Sequence, residues 1–347
     1  MRPARVPSLT GVRAFAALSV YFHHSNPFPK SSFLHSLAQE GYVGVTVFFV
    51  LSGFLITWNY ADTLRTFEER KRFYLLRFAR IVPLYWGLLM GLYLLQWLLK
   101  TNDTAPVSEQ LFNFSFLKGF IPGSVFSGIP QSWSLTVEMG FYALAPLWIS
   151  WMAERRWPAV VVLYCFFVCG LFSVYKNHLT FGSFYTIFGR FFEFGAGIFA
   201  ALWVRQPKKS SGFRFKTLTS SAGGAGLVIA YVLAVHRWHF SAFYTEWLLY
   251  NFLLPIVVGF GLVGLLTEKT FLSSLLSSPL AQWMGKSSYA FYLIHLGPVA
   301  IGVQRYVSDN SLVRLILLWA MAYALYRWVE RPLYRLAVEY SRKGAKV

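Results

Sequence analysis

The residues in this chain best able to do chemistry are ionisable groups set inside apolar sequence. Arg13 and His24 stand eleven positions apart. Three turns of α-helix take nearly eleven residues, so the two share one face, about 16 Å apart along the axis. A charge inside a membrane helix costs several kcal/mol and marks function by default. The alternative is an interfacial arginine that snorkels and a histidine that ends the helix, and spacing alone leaves both readings open. Arg77 and Arg80 lie one helical turn apart, shortly before Pro83 and Tyr85. Their guanidinium groups can converge on one phosphate-bearing ligand. Ordinary loop charge is adequate for the neighbouring Lys71 and less so for this pair.

Other groups are less committed. Glu138 has no cation near it in sequence, so it needs a partner from another helix. Arg190 and Glu193, at i and i+3, can neutralise each other. His295 beside Tyr292 reads equally as a hydrogen-bonded packing histidine or as a substrate contact. Glu330 has Arg327 and Arg331 beside it and reads as structural. His23 points about 100° away from His24 on an ideal helix and takes no role. Gly41, Gly44, Ser52 and Gly53 permit close backbone approach, which suits a tightly packed second helix or a ligand groove.

These groups need elements to hold them, and composition says which kind. By length, 347 residues would make two or three soluble domains. Yet hydrophobic residues are 56% of the chain and charged residues only 13%, about half the usual charged share. A soluble fold of this size would lack the polar surface to cover itself. Apolar runs long enough to cross a bilayer fall at about 9–27, 40–60, 81–100, 131–151, 158–175, 183–204, 217–236, 246–266, 285–304 and 312–330. The expected fold is all-α, a polytopic membrane protein with about ten transmembrane helices in one domain over 1–347. The first run is the weakest, since its purely apolar part, Phe15 to Phe22, is short; no small-residue cleavage site follows it, so it is read as a retained helix.

The net charge of +18 could suggest a nucleic acid partner, and its placement argues otherwise. Of the 32 Lys and Arg, 21 fall on the side of the N-terminus and seven opposite. By the positive-inside rule both termini are expected in the cytoplasm. The charge is then mainly an insertion signal. No nucleic-acid motif, Walker loop, zinc spacing or dinucleotide fingerprint is visible, nor any internal repeat of the transporter kind. The stretch from Lys100 to Pro130 reads as a folded extracytoplasmic loop. Cys165 and Cys169, at helical spacing in one apolar run, read as small lipid- or protein-facing residues.

Taken in order, several segments resemble the acyltransferase-3 family of integral membrane acyltransferases. They are Leu-Thr-Gly-Val-Arg13 with His24, the Gly44-Val-Thr-Val-Phe-Phe-Val-Leu-Ser-Gly53-Phe-Leu-Ile56 run, and Arg77-Phe-Ala-Arg80-Ile-Val-Pro-Leu-Tyr85. Further similarity covers Trp133-Ser-Leu-Thr-Val-Glu138 with Phe141-Tyr142, Gly189-Arg190-Phe-Phe-Glu193, Ser288-Tyr289-Ala-Phe-Tyr292-Leu-Ile-His295 and Glu330-Arg-Pro332. Where many relatives have an acidic residue, this chain has Leu9-Thr10-Gly11, which removes one carboxylate partner for Arg13. A fused extracytoplasmic esterase-like domain, found in some relatives, is not expected.

The resemblance implies transfer of an acyl group, often acetyl, from a coenzyme A thioester to a hydroxyl of a glycan, a lipid-linked saccharide or another acceptor. It implies acyl-CoA as co-substrate with no permanently bound cofactor and no metal, and a lipid bilayer but no nucleic acid as partner. A bacterial cytoplasmic membrane is the implied location. Catalysis falls to His24, Arg13 and Glu138, with His24 or Arg13 as the partner of Glu138. Acyl-CoA binding falls to Arg77, Arg80 and Tyr85, while Arg190, Glu193, Tyr292 and His295 are substrate contacts or structural. A hydroxyl needs a base as it attacks a thioester, and histidine has a suitable pKa. The competing expectations are a membrane transporter or exporter that uses the buried charges, and a related enzyme transferring succinyl or a longer acyl group.

Overall fold

The computed structural model describes residues 6–99, 105–121, 123–154, 185–206, 215–236 and 248–343, with single positions scattered over 158–172 and at 245. Among them the secondary structure is helical, with no strand. In chain order the helices are α1 (Pro7–His24), α2 (Phe33–Gln39), α3 (Val43–Tyr60), α4 (Phe67–Leu98), α5 (Val107–Phe114), α6 (Trp133–Glu154) and α7 (Ile187–Val204). There follow α8 (Lys216–His236), α9 (Leu254–Thr267), α10 (Phe271–Leu276), α11 (Pro279–Ile294), α12 (Pro298–Tyr306), α13 (Ser311–Leu325) and α14 (Arg331–Lys343). π-Helical turns at Leu249–Leu253 and Tyr326–Glu330 lead into α9 and α14.

Six helical stretches are long and apolar enough to cross a membrane: Phe33–Tyr60, Phe67–Leu98, Ile187–Val204, Lys216–Val235, Leu249–Thr267 and Ser311–Arg342. The chain is an all-helical integral membrane protein, and these six stretches, found among the described residues, match six of the ten expected spans. Two of the other runs have a physical feature that sets them apart, and one is not described throughout. The run at 158–175 lies almost wholly outside the described residues. The run at 285–304 is two helices, α11 and α12, parted at Gly297, whose φ of 82° is open to glycine and closed to most side chains. The first helix, α1, carries Arg13, His23 and His24 in its 18 residues.

The basic residues ahead of the apolar run at 81–100 also lie on a helix. Thr66 and Glu69 form a capping box there, the Thr66 side chain accepting from the Glu69 N–H and the Glu69 carboxylate from the Thr66 N–H. The helix therefore starts at Phe67, and Arg77 and Arg80 ride on α4 a full three turns inside it. Of the loop expected at 100–130, the described part is folded, with α5 followed by short 3-10 turns.

The contacts divide the chain into two compact units, each drawn from separate stretches: residues 1–61, 152–167 and 191–288, and residues 62–151, 168–190 and 289–347. In the first, α1 packs on α3 and α10, and α9 on α3 and α8. Its core gathers Leu9, Val12, Ala16, Val50, Phe54, Ala201 and Val263. The close approaches implied by the small residues occur here. A Cβ at Gly44 would lie 2.1 Å from the Ala16 carbonyl oxygen, and one at Gly53 2.2 Å from that of Phe194. Any larger residue would push α3 off α1 or α7. In the second unit, α14 and the π-turn before it pack on α4, and Phe291 stacks on Trp319 with ring centroids 3.8 Å apart.

Candidate active site

The candidate residues fall into two groups, one in each unit. Arg13 and His24 belong to the first, and α1 runs unbroken between them, so their shared stripe is real. The Arg13 Nε donates to Ser288 Oγ at 3.2 Å, and that hydroxyl donates to the Gly285 carbonyl at 3.0 Å. Arg13 is thereby held against the middle of α11. His24 is exposed at the last residue of α1. Its ring meets that of His23 edge to face, centroids 4.6 Å apart. His23 is tied by Nδ1 to the Gln39 carbonyl oxygen. The two neighbours thus differ: one ring is anchored to the backbone of α2 and the other stands at the open end of its helix.

The same unit buries Glu193 completely. Its carboxylate accepts from Thr46 Oγ1 at 2.7 Å, and Thr46 also lies 3.3 Å from the Tyr250 carbonyl oxygen in a π-turn. Tyr250 in turn donates its hydroxyl to the Glu40 carboxylate at 2.5 Å. Arg190, three residues before Glu193, belongs to the second unit and is 1% exposed. Its guanidinium carbon lies 5.7 Å from the centroid of the Trp133 ring, a cation–π contact. The pair expected to neutralise each other therefore also has separate neighbours.

The second unit holds Arg77, Arg80, Tyr85, Glu138, Tyr292 and His295. Arg77 is half-buried, its guanidinium carbon 5.8 Å from the Tyr142 ring and 5.9 Å from that of Phe73. Tyr142 donates its hydroxyl to Glu138 at 2.5 Å. Arg77, Tyr142 and Glu138 thus form one chain of contacts within the second unit. Arg80 follows one turn along α4, half-buried. Tyr289 donates to the Ile81 carbonyl at 2.7 Å, and Glu330, Glu138, Tyr85 and Arg80 all lie within electrostatic reach of its hydroxyl.

Tyr85 is buried, its hydroxyl donating to the Asn113 carbonyl at 3.1 Å and lying 3.4 Å from Ser132 Oγ. It anchors the loop region against α4. Tyr292 donates to the Gln131 carbonyl at 3.1 Å, Gln131 Nε2 donates to the Leu293 carbonyl at 2.7 Å, and His295 Nδ1 lies 2.7 Å from the Tyr292 carbonyl. These contacts fasten the end of α11, where the chain breaks at Gly297. Just before α6, buried Lys118 donates to the Ser127 and Ile129 carbonyls, both at 2.8 Å. Burial lowers its pKa to about 7, with Glu109 opposing. At Glu268, burial alone would raise the pKa, and bonds from the Thr217 and Lys216 N–H groups and the Thr217 hydroxyl outweigh it and hold the carboxyl low.

Sequence reasoning missed Thr46, Gln131 and Tyr142 as members of these clusters. Tyr142 is four residues after Glu138, a spacing that could have revealed the bond. Thr46 and Gln131 meet partners 147 and 162 residues away, and no local signal marks them.

A family model described as an acyltransferase domain, Acyl_transf_3, matches residues 6–327. Among similar proteins, the peptidoglycan O-acetyltransferase OatA of Listeria monocytogenes is 26% identical over 94% of this chain and 56% of its own. YrhL of Bacillus subtilis is 25% identical over 94% of this chain and 55% of its own. The acyltransferase MdmB of Streptomyces mycarofaciens is 32% identical over 47% of this chain and 44% of its own. The chain spans about half the length of the curated relatives it matches. No solved structure matches it. With one family model spanning nearly all of the helices and every candidate residue from Arg13 to His295, the chain belongs to the Acyl_transf_3 family of acyltransferase domains.

Proposed function

We propose that this chain is a membrane-embedded O-acyltransferase that moves an acyl group, acetyl in the first instance, from acyl-CoA to a hydroxyl of a glycan or lipid-linked saccharide. The observation that carries the reading is the pair Arg77 and Arg80, one turn apart and half-buried on α4, in a chain of this family. Two guanidinium groups so spaced suit the phosphates of coenzyme A, which is made in the cytoplasm. That the relative OatA is named for peptidoglycan supports a glycan acceptor.

In the reaction the acceptor oxygen attacks the thioester carbonyl carbon, the C–O bond forms and the C–S bond breaks. His24 takes the hydroxyl proton and returns it to the departing thiolate, so free coenzyme A leaves and the histidine ends neutral. Its exposed position at the end of α1 suits a base that must meet a mobile acceptor. Arg13, fastened to Ser288, holds the stripe of α1 that carries the histidine. Glu138 acts through Tyr142 to seat Arg77.

The test is release of free coenzyme A from acetyl-CoA by the purified chain, with and without peptidoglycan fragments or a lipid-linked saccharide. Acceptor-dependent release that is lost in His24→Ala supports the reading. Acetyl-CoA left intact under every acceptor, with the protein folded, would refute it.

A further inference from the structure

Gln131, which no role yet accounts for, is a buried amide with only half of its hydrogen bonding in use. It is 3% exposed. Its Nε2 donates to the Leu293 carbonyl at 2.7 Å, which fixes the amide and leaves Oε1 as an acceptor. That oxygen is buried and accepts from no group among the described residues. The backbone carbonyl of the same residue, by contrast, accepts from the Tyr292 hydroxyl at 3.1 Å and from Ser134 Oγ at 3.2 Å. A buried acceptor in this state is costly, so Oε1 calls for a donor from outside the chain.

Direct contacts place Gln131 in line with the two arginines. α4 and α6 run past each other in opposite directions: the Arg77 guanidinium carbon lies 5.8 Å from the Tyr142 ring, and eight residues further along α4 the Tyr85 hydroxyl lies 3.4 Å from Ser132 Oγ. α11 is fastened to both, Tyr289 donating to the Ile81 carbonyl of α4 and Tyr292 to that of Gln131. All of these residues belong to the second unit. Arg77 and Gln131 therefore mark the two ends of one stretch between the same helices. Glu138 stands between them, bonded to Tyr142, and is half-buried like Arg77 and Arg80. From Tyr142 back to Gln131, α6 and the 3-10 turn before it span about 17 Å, at 1.5 Å per α-helical and about 2 Å per 3-10 residue.

Coenzyme A has its phosphates at one end and its sulfur at the other, joined by an uncharged arm of about thirteen bonds, roughly 16 Å at the rise of an extended chain. The arm carries two amides. Phosphate held at Arg77 thus brings the amide nearer the sulfur to the neighbourhood of Gln131, and an amide N–H is a donor that an acceptor oxygen takes. We propose that Gln131 binds the arm of the donor: its Oε1 accepts from the amide N–H next to the sulfur end and so sets how far the thioester reaches beyond the arginines. The proposal rests on the reading of Arg77 and Arg80 as the acyl-CoA site. A water at Oε1 would satisfy the oxygen as well, but it would give no preference between a ligand with the arm and one without it.

The experiment is calorimetric titration of two ligands into the full chain in detergent, for wild type, Gln131→Met and Arg77→Ala. One ligand is coenzyme A; the other is adenosine diphosphate phosphorylated on its ribose, which is coenzyme A without the arm. Gln131→Met keeps the length of the side chain and removes the acceptor. It should weaken coenzyme A binding about threefold to tenfold, the scale of one neutral hydrogen bond, and leave the arm-free ligand unchanged. Arg77→Ala should weaken both. Unchanged coenzyme A binding by Gln131→Met, as expected if Oε1 holds only water, would overturn the proposal alone. So would an equal loss for both ligands, the signature of a residue that merely fastens α6 to α11. Unchanged binding of both ligands by Arg77→Ala, or no binding by wild type, would overturn the donor-site reading beneath it. If Gln131→Met does not fold, Gln131→Asn draws the oxygen back by one methylene and should weaken coenzyme A alone by about threefold; no loss, or an equal loss for both ligands, refutes the proposal as well.

Discussion

Removing one oxygen atom tests the chain from Arg77 through Tyr142 to Glu138. Tyr142→Phe keeps the ring that lies 5.8 Å from the Arg77 guanidinium carbon and packs edge to face with Phe73 at 6.3 Å. It deletes the hydroxyl that donates to Glu138 at 2.5 Å. A hydrogen bond to a charged group contributes about 1.5 to 3 kcal/mol, and the half-buried Glu138 recovers part of that from water, leaving roughly 1.4 kcal/mol. If the released carboxylate turns to Arg77, that sum appears as lost donor affinity, about tenfold. The assay is initial rate against acetyl-CoA at saturating acceptor. Apparent KM should rise about tenfold while kcat stays within about threefold, because a phosphate contact is made in ground and transition states alike. The thermal midpoint in detergent should hold, since the buried ring remains. An unchanged KM in a folded Tyr142→Phe protein would show that Glu138 does not act on the arginines, and the proposed positioning role would be withdrawn.

His24→Ala should lower kcat by on the order of 10² to 10⁴ with coenzyme A binding intact, whereas His23→Ala should act mainly on stability by freeing the Gln39 carbonyl; single-turnover transfer at saturating acceptor separates the two, and near-normal turnover without His24 would remove it from the mechanism. Arg77→Ala and Arg80→Ala should each raise the KM for acyl-CoA, and lysine should rescue only in part because it lacks the planar fork; coenzyme A affinity unchanged from wild type in both alanine variants would contradict the assignment. Glu268 has a folded pKa held below its ordinary 4.5, so the stability it contributes is fully present above that value and is lost as pH falls through the depressed folded pKa. The thermal midpoint of wild type should drop below pH 4.5 more steeply than that of Glu268→Gln, and parallel curves would show that the bonds to Lys216 and Thr217 carry no net stabilisation. Reporter fusions after residues 66, 154, 210 and 343 should read as cytoplasmic, and those after 105, 178 and 308 as external; reversal at two or more of them would break the cytoplasmic-donor reading.

What the sequence by itself determined is what depends on near neighbours along the chain. A separation of eleven positions from Arg13 to His24 makes a shared stripe in any continuous helix, and one of three from Arg77 to Arg80 makes a shared turn, because backbone hydrogen bonding sets the angle per residue. Gly44 and Gly53 announced close approach because no other residue leaves the room, although not which helix would fill it. The Thr66 and Glu69 capping box and the π-turn before Arg331 were equally local and went unread, the first hidden in a run of charge and the second without a sequence signature. Tertiary structure alone decided the partners: Ser288 for Arg13, Thr46 for Glu193, Gln131 for Tyr292, and α4 for the turn that carries Glu330. Helices apolar on every side carry no stripe that says which face meets which neighbour. Their pairing is chosen by the fit of small residues and by the need of each buried polar group to find its complement, and those complements lie more than a hundred residues away.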